Sequence, residues 1–132
     1  PYTTLFRSYR EWEKKMTENL TKQDFLDKVF DYENEEEWKY KGDTPAIIDF
    51  WAEWCGPCKM LIPVLEKVDE EVDIDILKIN VDDHQNLAQE FKVRGIPAMF
   101  IVDDGNIVTS ITGFQQVSEI IETINEQSYE TK

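Results

Sequence analysis

The sequence feature that most limits the possible folds is a short apolar segment, Ala46–Trp51. It follows Pro45 and contains one charged residue, Asp49. A nearly continuous apolar run of this length is typical of a central strand that is buried on both faces. Such a strand needs helices on both sides of its sheet to keep water away from it. The segment therefore predicts an α/β fold in which helices cover both faces of a central sheet.

The flanking sequence supplies the other elements of such a fold. Thr21 and Asp24 have the spacing of a capping box, and apolar residues at helical intervals predict a helix over about Lys22–Tyr32. A short strand is expected before it, near Met16–Leu20. The remaining predicted elements are a helix from Cys55 or Gly56 to Glu70 that Pro63 should kink, a strand over Ile74–Val81, a short helix over Asn86–Phe91, strands over Ala98–Val102 and Ile107–Thr112 joined by a tight turn at Gly105, and a last helix with an apolar stripe from Val117 to Ile124. This order predicts a mixed sheet, with a parallel βαβ unit and an antiparallel C-terminal hairpin.

The chain length fits a single domain. With 132 residues, of which 41% are hydrophobic, the chain can bury one core. We assign residues 16–132 to the folded domain and residues 1–15 to an N-terminal extension, expected to be non-native or disordered in part. Residues 1–8 resemble a translated sequencing adapter, which makes Met16 an alternative start. No signal segment is visible, although the chain does not begin with Met.

The charge of the chain restricts its partners. The net charge of −14 repels phosphate backbones, so we expect no nucleic-acid binding. The simplest interpretation of this charge is solubility. No stretch approaches the roughly 20 apolar residues that span a bilayer, so we expect no membrane partner either.

Cys55 and Cys58 are the only cysteines, and a bridge between them closes too small a loop to stabilise a fold. Cys55 should stand at a helix N-terminus, where backbone N–H groups and the helix dipole stabilise its thiolate. Cys58 falls one turn further into the helix. This arrangement predicts thiol–disulfide exchange: Cys55 attacks a substrate disulfide, and Cys58 then attacks the sulfur of Cys55 and releases the reduced substrate.

The two intervening residues suit this chemistry. Pro57 fits the first helical turn, where a missing N–H costs nothing, and Gly56 leaves the approach to the sulfur open. A zinc site is the competing interpretation, but it needs four ligands. The chain has no further cysteine and only one histidine, His84, so we expect no bound metal. His84 itself fits a surface or capping position.

The segment Phe50–Met60, FWAEWCGPCKM, resembles the active-site segment of bacterial thioredoxins, and the resemblance runs from about Ala46 to Asn125. It includes the prolines and glycines of the downstream chain, Pro63, Pro97, Gly95, Gly105 and Gly113. The resemblance implies the thioredoxin fold, a central mixed β-sheet with helices on both faces. It also implies protein-disulfide oxidoreductase activity with a redox-active Cys55–Cys58 disulfide.

Further catalytic residues are implied by the same resemblance. In this family a buried carboxylate assists deprotonation of the second cysteine, and a lysine on the adjacent strand is its neighbour. These residues would be Asp49 and Lys78. Burial should raise the pKa of Asp49 and make it a plausible proton acceptor. The alternative is an Asp49 exposed on an edge strand.

The resemblance also implies a groove for protein substrates. Pro97 would be a cis-proline packed against the disulfide, and a substrate strand would pair with the backbone beside it. Trp54 would flank the nucleophile and Trp51 would pack beneath the loop. The substrate-binding residues are accordingly expected to be Trp54, Gly56, Pro57, Ile96, Pro97 and Gly113.

Two departures from the family pattern stand out. Ala98 follows the expected cis-proline where many thioredoxins carry Thr, which could alter the polarity of the groove. Glu35–Tyr40, with Trp38, resembles an insertion between the first helix and the central strand. Its function is open, and we expect its aromatic residues to pack against the domain.

The leading functional prediction is a cytoplasmic, monomeric protein-disulfide reductase with no bound cofactor. Its electrons would come from NADPH through a separate thioredoxin reductase. The Gly56-Pro57 pair supports reduction, because oxidases and isomerases of the family usually carry a His there. Two alternatives remain open: an exported, periplasmic thiol–disulfide exchange protein, and a non-catalytic thioredoxin-fold binding subunit.

Overall fold

The computed structural model describes residues 17–31, 33 and 45–130, which form five strands and four helices. The strands are β1 (Thr17–Asn19), β2 (Ala46–Trp51), β3 (Asp75–Asn80), β4 (Ala98–Asp103) and β5 (Asn106–Thr112), and the helices are α1 (Lys22–Lys28), α2 (Gly56–Glu71), α3 (Gln85–Glu90) and α4 (Val117–Glu130). The predicted extension 1–15, with its adapter-like residues 1–8, the alternative start Met16 and the predicted insertion Glu35–Tyr40 lie outside the described residues.

The five strands form one sheet in the order β1-β3-β2-β4-β5. β3 is parallel to both β1 and β2, whereas β4 runs antiparallel to β2, and β5 antiparallel to β4. The central position of β2 agrees with its apolar sequence, because a strand in the middle of a sheet covered on both faces meets no water. The predicted mixed sheet is confirmed.

The strand register brings three chain segments to one end of the sheet. Phe50, near the end of β2, pairs with Ala98 at the start of β4, and Ala98 pairs with Thr112 at the end of β5. We call this the upper end; the segments that leave it are residues 52–55, 95–97 and 113. The hairpin turn between β4 and β5 lies at the opposite, lower end.

The helices cover the two faces of the sheet in pairs. Ile48 and Phe50 pack with side chains from α1 and α3, whereas Ile47 packs with side chains from α2 and α4. Each fully buried side chain of this size contributes roughly 1.5–3 kcal/mol to stability. Because strand residues two apart share a face, Asp49 lies on the face of Ile47, the one covered by α2.

The start of α1 agrees with its sequence. Thr21 Oγ1 accepts a hydrogen bond from the Asp24 N–H at 3.0 Å, and Asp24 Oδ2 accepts one from the Thr21 N–H at 3.2 Å. This is the predicted capping box, which satisfies two backbone donors that a helix N-terminus otherwise leaves unpaired.

The end of α1 comes earlier than predicted, at Lys28 rather than Tyr32. The N–H groups of Val29 and Phe30 both donate to the carbonyl oxygen of Phe25. In a regular α-helix each N–H donates to the carbonyl four residues earlier, so successive N–H groups use successive carbonyls. Two N–H groups that share one carbonyl therefore mark the end of the helix. Val29 and Phe30 are nonetheless buried, and their apolar spacing therefore reports the core rather than a longer helix.

Helix α2, the longest helix among the described residues, begins directly after Cys55 at the upper end of the sheet. It continues through Pro63 to Glu71, one residue beyond the predicted end. Its buried side chains, Leu61, Leu65 and Val68, join the core cluster of Ile47. Among the helices of the described ranges, none is long and apolar enough to cross a membrane.

Candidate active site

The two cysteines lie where β2 passes into α2. Cys55 is the N-cap of α2, Cys58 lies in its first turn, and their sulfur atoms are joined in a disulfide. The backbone N–H of Cys58 donates a hydrogen bond to Cys55 Sγ at 3.2 Å. Helix N-termini favour negative charge because their amide groups lack intrahelical partners. This position therefore stabilises a Cys55 thiolate when the disulfide is reduced.

Gly56 and Pro57, between the cysteines, are exposed first positions of α2. Pro57 lies in the first turn of α2, where a backbone N–H would have no intrahelical carbonyl acceptor, as predicted. Apart from its chain neighbours and the nearby backbone of α2, a Cβ atom added to Gly56 would meet no atom within 4 Å. The space on this side of the disulfide is therefore open to an approaching protein.

The segment before β4 borders the disulfide from the other side. The Ile96–Pro97 peptide bond is cis, and Ile96 packs against the cluster of Cys55 and Cys58. The Pro97 carbonyl accepts a hydrogen bond from the Gly113 N–H at 2.8 Å. The structure thus brings together Ile96, Pro97 and Gly113, three of the predicted groove residues. Ala98 is buried in the core cluster of Ile48 and Phe50, and its expected effect on the groove stays a prediction.

Trp54 precedes the nucleophile and is 69% exposed. Its indole Nε1 donates a hydrogen bond to Asp82 Oδ2 at 3.0 Å. Asp82 lies in the turn after β3, where its own N–H donates to Asn80 Oδ1 at 2.9 Å. Asp82 is not among the residues predicted from the sequence, because no local pattern links this turn to the segment before Cys55.

Asp49 is 1% exposed in the central strand β2, so the alternative of an exposed edge-strand position is wrong. Burial raises the pKa of Asp49 from 3.8 to about 7, while the charge of Lys78 acts in the opposite direction. Asp49 Oδ1 is buried and accepts no hydrogen bond. The carboxyl group therefore exchanges its proton near neutral pH, which an ordinary aspartate does not do.

Lys78 lies directly beside Asp49 in the parallel pair β2–β3. Its Nζ is 4.5 Å from the centroid of the Trp51 ring, within the range of a cation–π contact. Trp51 is half-buried and packs against the cluster of Cys55 and Cys58. Lys78 therefore lies between Asp49 and Trp51, and Trp51 connects this group to the cysteine cluster. The catalytic roles expected for Asp49 and Lys78 stay predictions.

The described residues contain no group of three or more His, Cys, Asp or Glu side chains arranged to hold a metal ion. His84 is the N-cap residue of α3, but its side chain makes no capping hydrogen bond. The redox-active group in the site is the cysteine pair itself.

Comparison with known proteins agrees with this geometry. The family model Thioredoxin matches residues 16–126. The chain is 46% identical to a thioredoxin of Borreliella burgdorferi over 104 residues, which cover 76% of this chain and 88% of the relative. It is 33% identical to a thioredoxin of Rickettsia felis over 112 residues, covering 83% and 97% of the two chains. Among solved structures, a mutant thioredoxin from Halobacterium salinarum NRC-1 superposes with a TM-score of 0.69 at 30% identity, covering 84% of this chain and 89% of that one.

Proposed function

Because the chain belongs to the thioredoxin family, we propose a complete cycle of protein-disulfide reduction at its redox pair. The protein is a thiol–disulfide oxidoreductase, and Cys55 and Cys58 are its redox-active dithiol. The observation that carries the cycle is the position of Cys55 at the N-cap of α2, where its sulfur accepts the hydrogen bond of the Cys58 amide.

The first half of the cycle uses the thiolate of Cys55. This sulfur attacks one sulfur of a substrate disulfide, so a mixed disulfide forms and the other substrate sulfur leaves as a thiolate. Cys58, deprotonated, then attacks the sulfur of Cys55. The second substrate thiolate leaves, and the two electrons of the dithiol have passed to the substrate.

Asp49 accepts the proton of Cys58 in this second step; burial raises the pKa of Asp49, and the charge of Lys78 limits that rise. This assignment is supported by the burial of Asp49, by its pKa of about 7 and by its place on the sheet face covered by α2. A general base is most effective when its pKa lies near the working pH. Lys78 is a positioning and tuning residue, because it acts through the charge of Asp49.

Six residues bind the protein substrate around the disulfide: Trp54, Gly56, Pro57, Ile96, Pro97 and Gly113. Trp54, Gly56 and Pro57 are exposed, and Ile96 packs against the cysteine cluster, which supports their assignment. Pro97 and Gly113 are included because Pro97 follows Ile96 directly and its carbonyl accepts the hydrogen bond of the Gly113 N–H. An extended substrate segment adds its backbone beside Pro97, in the manner of strand addition. Trp54 offers a large apolar surface on the side of the nucleophile.

The cycle closes when the Cys55–Cys58 disulfide is reduced again. We assign this step to a separate thioredoxin reductase that carries electrons from NADPH, in the cytoplasm, with this protein acting as a monomer. The Gly56-Pro57 dipeptide supports the reducing direction, because the residues between the cysteines tune which redox state is stabilised.

The reduction potential of the Cys55–Cys58 couple tests the direction. The protein is equilibrated against glutathione or dithiothreitol buffers of known potential, and the fraction of dithiol is read by alkylation and mass spectrometry. We expect a value near −270 mV, the reference for a thioredoxin. A value near −120 mV, the reference for a strong periplasmic oxidant, would reverse the direction and favour an exported oxidant.

A further inference from the structure

Two large apolar side chains beside the redox pair are exposed. Trp54 is 69% exposed and Met60 is 62% exposed. The third exposed large hydrophobic side chain within the described residues is Ile107, at 39%. Isolated exposed apolar residues are common. These two, however, frame the redox pair along the chain, because Trp54 directly precedes Cys55 and Met60 closely follows Cys58.

Helix geometry places Met60 on the solvent-exposed face of α2. Residues three and four positions apart are neighbours on a helix surface, so Met60 lies beside Pro57 and Gly56. All three are exposed, whereas Cys58 and Leu61 are buried on the other side. Long helical side chains lean toward the N-terminus. The thioether of Met60 therefore extends over the turn that faces an approaching protein substrate.

We propose that Met60 is a docking residue for protein substrates, and that peroxide oxidation of its thioether to the sulfoxide weakens this docking. The proposal rests on protein-disulfide reduction as the activity. An unbranched thioether adapts its shape to different partners, which suits a surface that meets many proteins. The sulfoxide is polar, so contact with a substrate then requires removal of water from a polar group.

The oxidation needs only a peroxide. The sulfur of Met60 gives an electron pair to one peroxide oxygen, so an S–O bond forms while the O–O bond breaks and water leaves. The sulfur loses two electrons and the peroxide gains them. Met99 provides the internal contrast, because it is 0% exposed in the core. In the disulfide form, Cys55 and Cys58 present no thiolate to the oxidant.

The first measurement is peptide mass spectrometry of the disulfide form after hydrogen peroxide treatment. We expect the peptide of Met60 to gain one oxygen atom before the peptide of Met99 does. The protein is then freed of peroxide, reduced and desalted. Its single-turnover reaction is followed with insulin as protein substrate and with oxidised glutathione as small substrate.

We expect the half-saturating insulin concentration to rise about fivefold after Met60 is oxidised, which corresponds to losing part of the contact free energy of one apolar side chain. The limiting rate with insulin stays unchanged. The rate with oxidised glutathione also stays unchanged, because this small disulfide reaches Cys55 without covering α2. If the peroxide treatment instead damaged Cys55 or Cys58, the reactions with both substrates would become slower.

Three variants separate the effect of the Met60 sulfur from the effect of an apolar side chain at position 60. Met60→Gln introduces a polar side chain and raises the half-saturating insulin concentration without peroxide. Met60→Leu keeps an apolar side chain without sulfur, so peroxide treatment does not shift its insulin kinetics. Ile107→Gln is the matched control, because Ile107 pairs with Val102 at the lower end of the sheet, away from the redox pair. Its insulin kinetics match the wild type.

Several outcomes overturn the proposal: equal oxidation of Met99, unchanged insulin kinetics at full Met60 oxidation, or the same response in Ile107→Gln as in Met60→Gln. An equal loss with oxidised glutathione also overturns it, because the effect then belongs to the dithiol. If the untreated protein fails to reduce insulin, the proposed function fails instead, and the two failures are thereby distinguished.

Discussion

The indole Nε1 of Trp54 and the Oδ2 of Asp82 are joined by a 3.0 Å hydrogen bond across 28 residues of the chain. The turn that carries Asp82 is itself held in place, because the N–H groups of Asp83 and His84 both donate to the carbonyl of Asn80. The exposed ring of Trp54 is thus anchored at its polar edge. Such an anchor limits the rotamers of the ring before a substrate arrives, which lowers the entropy cost of docking.

Asp82→Ala should weaken the docking of protein substrates by removing this anchor. We expect the half-saturating insulin concentration to rise about threefold, in line with the typical net value of one hydrogen bond. Asp82→Asn, which keeps an acceptor oxygen, should restore most of the loss. Asp83→Ala, an equal change of charge on the exposed neighbour, serves as control. The same effect in Asp83→Ala would show that charge, and not the anchor, is responsible.

Serine substitutions should separate the roles of the two cysteines. Cys55→Ser removes the nucleophile and should form no adduct with insulin. Cys58→Ser still forms the mixed disulfide but lacks the thiol that resolves it, so a covalent adduct should accumulate. Intact-mass spectrometry of the pre-reduced variants checks both expectations. Adduct formation by Cys55→Ser, and not by Cys58→Ser, would reverse the assignment.

Asp49 should make the stability of the wild type depend on pH. Its pKa in the folded state, about 7, lies above its ordinary value of 3.8 because of burial. The folded state therefore holds the proton more tightly, and the wild type loses stability as pH rises between about 4 and 7.

The variant Asp49→Asn lacks this titration and should become more stable than the wild type over the same range. The difference should grow from pH 4 to 7 and then level off, at about 1.4 kcal/mol per unit of pKa shift. Urea unfolding of the disulfide form at several pH values measures it. Asp104→Asn, on the exposed hairpin turn, is the control, and the same pH-dependent gain there would contradict the assignment to burial.

Lys78 should hold the pKa of Asp49 down. Lys78→Met keeps the length of the side chain but removes its charge, so the pKa of Asp49 should rise above about 7. A carbon-13 carboxyl titration by NMR reads this shift directly. The pH dependence of mixed-disulfide resolution should move in the same direction. Lys67→Met removes an equal charge from an exposed position on α2 and should leave both curves unchanged.

Local sequence signals predicted most of the fold. The apolar run Ala46–Trp51 is β2 in full, and the Thr21–Asp24 capping box starts α1 at the expected residue. The end of α1 could not be read from the sequence. Apolar spacing through Phe30 continues because that residue is buried in the core, while the backbone has already left the helix.

Some site residues could be predicted because a local sequence pattern marks them. The two cysteines stand three residues apart at a predicted helix start, and Asp49 is the one charge in an apolar strand, so each has a local signal. The role of Pro97 came only from the family resemblance. The Trp54–Asp82 bond depends instead on how the turn after β3 packs beside the segment before α2, and no local pattern encodes that distance. The exposure of Met60 likewise follows from the rotation of α2 against the sheet.

The hairpin between β4 and β5 turns through Asp104 and Gly105, both with positive φ, at the lower end of the sheet. Strand β4 lies between this turn and Pro97, and at about 3.3 Å per residue its six residues separate the two by roughly 20 Å. A tether attached at this turn would point a surface-immobilised molecule with its disulfide outward. On beads coated in this orientation, the disulfide of the attached copies would face the dissolved proteins.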